Sequence, residues 1–330
     1  MAADPHGVLS SRLHAARLPS APLRIRNHLD VWAALQLRRL VQHNGYDIVH
    51  FHTARAHALS PILQGLKIKR IVTRRMDYPL RAGVMTRLLY VHSIEKVVAI
   101  SQGVSAALLK GGVPASHIRL IPSGVDTTRF TRNPLARARI RAQYGVDAQT
   151  PLLVSVGSLV ERKGHDLLLT AAQRLKEKGL HIRYLICGDG PLRATLEKRV
   201  DALALKHNVK FTGFCSDIAD MLSAADIFIH VPYYEGLGVA VIEALAAGLP
   251  TIASQVGGIP ELIEDQKTGL LIPPRDVDLL TTSLLRLISA PAFAYRLGAA
   301  GQEFVRSRFD VAVTVQANEA LYLELLADTA

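Results

Sequence analysis

Short β-branched or apolar runs alternate with longer amphipathic stretches along nearly the whole chain, a rhythm that predicts βαβ units and parallel sheets. In the first part the runs 47–51, 70–73, 97–100 and 118–121 predict strands, with helical spacing at 30–43 and 102–110. A turn-rich, charged stretch from Pro122 to Pro134 follows and predicts a linker. A second series begins beyond it, with strands expected at 152–156, 183–187, 209–212, 227–230, 251–253 and 270–272. Helical spacing falls between them at 166–178, 192–205 and 239–247, and the chain closes on two helical stretches near 291–307 and 311–326. The expected fold is α/β: two consecutive doubly wound, Rossmann-like parallel-sheet domains facing a ligand-holding cleft. Their expected limits are 1–130 and 131–310, with a terminal helix, 311–330, packing back on the first.

Composition supports two packed cores, since 49% of the 330 residues are hydrophobic. No apolar run reaches membrane-spanning length, and the first residues lack the apolar core of a signal peptide. The net charge of +11 is unevenly placed: residues 1–150 are strongly basic and the remainder is slightly acidic. A first domain facing an anionic partner fits that imbalance, as does an Arg-rich surface with no partner. Nucleic acid is the weakest of the anionic candidates, because aromatics are only 5% of the chain and do not interleave with the basic residues. Cys187 and Cys215 lie far apart in sequence and read as buried free thiols rather than a disulfide.

The candidate chemistry gathers at strand ends. After the strand closing at His230, Glu235 lies in a loop with Gly236 and Gly238, and a helix begins at Val239. Unpaired N–H groups and the helix dipole make such a start an anion site, so the amides at Gly238 and Val239 are candidates for a phosphate. Glu243, on the same helix, has the acceptor-only carboxylate that a ribose diol requires, and Glu235 can do the same for sugar hydroxyls. Each glutamate alone would read as a surface residue; the apolar helix end that follows, Ala244 to Pro250, argues that Glu243 has a partner. A second loop follows Val156: Gly157 and Ser158, then the adjacent cations Arg162 and Lys163. Those cations suit a leaving diphosphate, whose negative charge grows in the transition state. Gly188, in Gly188-Asp189-Gly190, and the pair Gly213-Phe214 close two further strands where a nucleotide base could lie. No Cys/His cluster has metal-site spacing and no phosphate-loop lysine motif is present, so neither a metal nor a cofactor beyond the donor is expected.

Taken jointly, these residues resemble the retaining glycosyltransferases of the GT-B fold, family 4. The resemblance rests on Glu235 and Glu243, then Ala246-Ala247-Gly248-Leu249-Pro250, Gly257-Gly258-Ile259-Pro260-Glu261 and Lys267-Thr268-Gly269-Leu270-Leu271-Ile272-Pro273-Pro274. Asp47-Ile48-Val49-His50-Phe51-His52, Ala99-Ile100-Ser101-Gln102-Gly103-Val104 and Ile121-Pro122-Ser123-Gly124-Val125-Asp126 resemble motifs of the family's first domain and linker. The likeness implies a ribose at Glu243, sugar hydroxyls at Glu235, the diphosphate at Lys163 and a phosphate on the amides at Gly238 and Val239. It also gives His52 a role near the transferred sugar, on the acceptor side; by itself that histidine would read as an ordinary loop residue.

Two departures stand out. Ser158 occupies the place where the family has an arginine, so Arg162 is expected to substitute. Nothing before Asp30 resembles the family's opening strand and Gly-rich loop, so the first domain reads as shortened. The implied reaction moves a sugar from a UDP- or GDP-sugar to an acceptor hydroxyl with retention, in lipopolysaccharide, polysaccharide or glycolipid synthesis. The expected partners are that donor, a glycan or lipid-linked acceptor and an anionic membrane surface, with no nucleic acid. The expected place is the cytoplasm, peripheral on the inner membrane face, with Arg74 or Arg75 meeting an anionic acceptor. The alternatives are a nucleotide-sugar-binding pseudoenzyme with an incomplete acceptor domain and a GT-B nucleotide-sugar epimerase.

Overall fold

In the computed structural model, which describes residues 1–327, the chain divides into two compact units. Unit 1 contains residues 1–100, 104–121 and the chain from Asn318; unit 2 contains 101–103 and 122–317. The segment 122–130, expected to close the first domain, therefore counts with the second. The last helix runs without a break from Val311 to Ala327, and its final turns count with unit 1.

Unit 1 opens with two very short strands, β1 (Ala2–Ala3) and β2 (Ala21–Pro22), which pair in parallel. They lie before Asp30, where the sequence shows no likeness to the family's opening strand and Gly-rich loop. Two residues are too few for an alternation of apolar and polar positions to show. The main sheet has four parallel strands in the order β3 (Ile48–Phe51), β4 (Lys69–Arg74), β5 (Lys96–Ala99) and β6 (Ile118–Leu120). Its core is built on Phe51, Ile71, Val72, Val97 and Val98, with Leu108. The helix Val31–Asn44 starts where Asp30 accepts from the Ala33 amide and stops at Gly45, whose φ of 61° is readily left-handed only without a side chain.

Unit 2 has six parallel strands: β7 (Leu152–Val156), β8 (Arg183–Cys187), β9 (Val209–Gly213), β10 (Ile227–His230), β11 (Thr251–Ser254) and β12 (Leu270–Ile272). Their spatial order is β12-β11-β10-β7-β8-β9. The first and fourth strands, β7 and β10, are thus neighbours at the centre, and the chain winds outward from them in both directions. Connections from such neighbours leave toward opposite faces of the sheet and open a crevice beyond the strands' carboxyl ends. β10 and β11 are buried throughout, as expected for a parallel sheet covered on both faces. The helix His165–Glu177 covers one side with Leu167, Leu168, Leu169, Ala171, Ala172 and Leu175.

Glycine is obligatory where the central loops meet. A Cβ on Gly164, at φ +66°, would stand 2.2 Å from the Val231 carbonyl oxygen; on Gly188, at φ +150°, it would stand 1.9 Å from that of Gly157. Among the described residues no single helix is long and apolar enough to cross a membrane.

Candidate functional site

The loops leaving β7 and β10 carry the charged residues of unit 2. The Gly157 amide donates to the Cys187 carbonyl (2.9 Å) and the Gly188 amide to that of Gly213 (2.9 Å), so these three glycines line up at the ends of β7, β8 and β9. The chain then makes a short turn, Glu161–Lys163, and Tyr233 fastens it by donating its amide to the Arg162 carbonyl (2.7 Å). Lys163 and Glu235 are brought together by this stitch: the lysine ammonium donates to the Glu235 carboxylate. His230, the last residue of β10, puts Nε2 3.0 Å from the same oxygen, Oε2. Arg162 lies 3.9 Å from the other oxygen, Oε1.

Glu235 is buried, which opposes its ionisation, yet its pKa is held down at about 2 by the His230 hydrogen bond and by the Lys163 charge. Burial also lowers Lys163, against the pull of Glu235, and keeps His230 below the usual histidine range. The arrangement is an ionised lysine–glutamate pair braced by a neutral histidine. Behind it His165 is buried and lowered to about 4 by that burial, with Nε2 3.1 Å from the Ser158 carbonyl oxygen.

The helix Val239–Ala246 begins at Gly238, whose φ is 99°, with no side chain capping it. The amides of Val239 and Ala240 therefore have no acceptor within the helix. Five of its residues, Val241, Ile242, Ala244, Leu245 and Ala246, are buried. Val239, Ala240 and Glu243 form the open stripe that remains, since residues three and four apart share a face. Burial raises the Glu243 pKa to about 7, only partly offset by the Arg129 charge, and the carboxyl has no ion pair among the described residues. Phe214, beyond Gly213, is 83% exposed. Ser101 counts with unit 2, where its hydroxyl donates to the Gly236 carbonyl (2.6 Å).

Unit 2 thus brings together Glu235, Lys163 and Arg162 in one contact network, while Glu243, Gly238 and Val239 occupy one helix face. Gly157, Ser158, Gly188 and Gly213 lie on the neighbouring strand ends. Sequence reasoning missed His230 and the Tyr233 clamp, in which the phenol donates to Asp166 (2.8 Å) and the Arg275 guanidinium stacks on the ring at 4.0 Å. The spacing of His230 and Glu235 was the one available signal. The thiol expectation needs correction: Cys187 is buried, but Cys215 is half-buried, 3.1 Å from the Thr212 hydroxyl. A hydrogen bond from Cys187 also lowers the Cys215 thiol to about 6.

In unit 1, His52 stacks on His50 with ring centroids 4.2 Å apart. His50 is held at both nitrogens, 2.6 Å from the Tyr322 hydroxyl and 2.8 Å from that of Thr73. Burial, with the charges of His52 and Arg75, takes His50 down to about 3; burial and Arg75 lower His52 as well. Both rings are therefore neutral near pH 7. Arg74 is not a free cation for an acceptor: its guanidinium donates to the carbonyls of Met76 and Tyr78 and to the Tyr90 hydroxyl. No sequence signal joined Tyr322 to His50, since 272 residues separate them.

The model for glycosyl transferases group 1 matches residues 136–304, and that for glycosyltransferase family 4 matches residues 2–129. The chain belongs to the glycosyltransferase group 1 family. It is 31% identical over 287 residues to the GDP-mannose-dependent alpha-(1-6)-phosphatidylinositol monomannoside mannosyltransferase of Mycolicibacterium smegmatis, covering 82% of this chain and 75% of that one. It is 28% identical to the lipopolysaccharide core biosynthesis glycosyltransferase LpsE of Rhizobium meliloti, covering 89% and 79%. Among solved structures, a Rickettsia africae glycosyltransferase superposes with a TM-score of 0.87 at 22% identity, covering 98% and 89%. Anabaena HepE in complex with UDP-glucose superposes at 0.86 and 22% identity, covering 96% and 89%. The fold of this transferase is therefore GT-B, with two Rossmann-like parallel-sheet domains.

Proposed function

We propose that this glycosyltransferase moves a hexosyl group from a nucleoside-diphosphate sugar to a hydroxyl of a glycan or lipid-linked acceptor, with retention of anomeric configuration. The observation that carries the donor side is the open stripe of the helix Val239–Ala246. Free amides stand at one end, and a half-buried carboxyl without an ion pair stands one turn further on. In this reading the amides take a phosphate and Glu243 accepts from the ribose diol, which replaces the solvation that burial removed.

Lys163 and Arg162 supply positive charge to the departing diphosphate, and Glu235 orients the sugar hydroxyls. Retention follows from front-face attack, in which the departing diphosphate assists deprotonation of the acceptor hydroxyl. The protein's contribution is orientation and stabilisation of the leaving charge. His52, neutral and stacked on His50, supplies a hydrogen-bonding group on the acceptor side. No metal or further cofactor is needed where lysine, arginine and a helix start supply the positive charge. The place of action is the cytoplasm, peripheral on the inner membrane face.

The relatives differ in donor: GDP-mannose in the name of the mannosyltransferases, UDP-glucose in the HepE complex. A thermal-shift screen of both, with their parent nucleotides, tests the donor assignment, since a ligand at 100 times its Kd adds about 2.7 kcal/mol of stability. Failure of every nucleotide sugar to stabilise the protein would overturn it. Transfer by the wild-type protein that is retained in full, with unchanged donor affinity, by Lys163→Ala would remove that residue from the mechanism. The configuration of the product, read by NMR of the new anomeric proton, tests retention.

A further inference from the structure

The helix Val31–Asn44 has two apolar faces, and only one is used. Ala33, Ala34, Leu37 and Val41 are buried in unit 1. At the opposite side of its first turn Leu29 is 85%, Val31 65% and Trp32 80% exposed, with Leu35 half-exposed one turn on. Scattered exposed apolar residues are ordinary, but four together at one helix start form a patch that water solvates poorly.

The sequence flanking that patch is predominantly of one sign of charge. Arg24, Arg26 and Arg39 are exposed, and none of them makes an ion pair among the described residues. The only acidic residue between Asp4 and Asp47 is Asp30, and its carboxylate is taken by the amides of Arg26 (3.0 Å) and Ala33 (3.1 Å). Along the outward stripe the helix thus passes from Trp32 and Leu35 to Arg39 and His43. An apolar tip with a cationic collar is the distribution that an acyl–headgroup boundary accommodates, and indole favours that depth. A second copy of the chain would bring a like-charged collar against its own.

We propose that the exposed start of this helix, Leu29, Val31, Trp32 and Leu35 within the collar of Arg24, Arg26 and Arg39, docks on an anionic lipid bilayer. The inference gives a surface to the lipid-linked acceptor reading and rests on it for purpose, but the contact itself requires neither donor nor acceptor.

Trp32 is the only tryptophan of the chain, so its own emission reports the contact. The intact protein is titrated at low salt with phosphatidylglycerol–phosphatidylcholine vesicles, without donor or acceptor. The expected result is a blue-shifted emission, protection from a soluble quencher, and weakening as salt rises. Each arginine near an anionic surface changes partitioning about fivefold, so Arg24→Ala with Arg26→Ala lowers it by about 25-fold. Leu29→Ser, which keeps the reporter and alters only an exposed side chain, weakens binding too. Three results overturn the proposal: emission that stays unchanged while the protein co-sediments, equal binding to pure phosphatidylcholine, or a shift that depends on protein concentration without vesicles. Transfer to a detergent-solubilised acceptor is measured separately, so a failed docking surface and a failed transferase reading are told apart.

Discussion

The two units hold the ionisable groups of their candidate sites in different ways. Unit 2 keeps a full charge pair at its centre: Lys163 on Glu235, with His230 braced against the same oxygen. It reaches that geometry through backbone, because Gly164 and Gly188 let neighbouring loops approach closer than any Cβ permits. Unit 1 keeps its half-buried His50 neutral and holds it with hydroxyls, Thr73 on one side and Tyr322 on the other. On the proposed reading, the fixed charge of unit 2 suits a diphosphate. A neutral imidazole beside a sugar can exchange hydrogen bonds with hydroxyls without attracting counter-ions.

The contrast in construction is broken most severely at Gly188. Gly188→Ala would press a methyl carbon into the Gly157 carbonyl at a backbone angle that alanine avoids, so we expect a loss of about 4 kcal/mol in urea unfolding of the chain. A loss below about 1 kcal/mol would show that the strand ends yield easily. Among the described residues no comparable glycine contact supports the His50 cluster, and conservative changes there should leave unfolding cooperative.

Next in size is the charge pair. Lys163→Ala leaves Glu235 buried with a neutral histidine and removes a cation from the leaving group; kcat is expected to fall about 100-fold or more. Glu235→Gln keeps the shape and should weaken kcat and donor affinity together. Equal, small effects from the two variants on kcat would show that the pair is structural only.

The fold was legible because the two main sheets are parallel, and buried strands announce themselves as apolar runs bounded by turns. The runs at 152–156, 183–187 and 270–272 coincide with observed strands. The glycine-led start of the helix Val239–Ala246 was legible for a related reason, since glycines followed by an apolar helical run mark such a turn locally. The Tyr233 clamp was not, because its partners Asp166 and Arg275 come from other loops. His230 was missed although Glu235 lies only five residues on, since a histidine closing an apolar strand carries no signal of its own. Tyr322 lies further still from any signal: it meets His50 only through the return of the last helix to unit 1.

Titration separates the two units in a different way. Glu243 ionises at about 7 in the folded chain against 4.5 as a free side chain, so the folded state holds its proton longer. Its contribution to stability is complete below pH 4.5 and is lost as pH rises through 7, by about 3 kcal/mol at most. His50 runs the other way. Its folded value of about 3 lies below the ordinary 6.5, so its contribution is complete above pH 6.5 and is lost as pH falls toward 3. Unfolding followed across pH 4–8 should therefore gain stability at the alkaline side in Glu243→Gln, and at the acid side in a His50→Gln chain. If a ribose diol donates to Glu243, donor binding should release a proton near pH 7 and tighten from pH 6 to pH 8. Calorimetry in two buffers of different ionisation enthalpy reads that proton, and Glu243→Gln should abolish it.

The smallest expected effect is also the most discriminating for unit 1. Tyr322→Phe removes one hydroxyl and leaves the ring edge against His50, where the two centroids are 5.7 Å apart and nearly perpendicular. The hydrogen bond is worth about 1 kcal/mol, and Thr73→Val removes its counterpart at Nε2 for a similar loss. If the two hydroxyls act through one imidazole, fixing its tautomer between them, the double variant should lose less than the sum of the singles, because the second hydroxyl has no fixed ring left to hold. Strict additivity would mean that the two hydroxyls act independently rather than through one fixed imidazole. Transfer rates of the same three proteins then read the neighbour: a His52 oriented by the stacked His50 loses rate in step with the loss of the tautomer. A rate that stays unchanged in all three would leave His52 without support from the last helix.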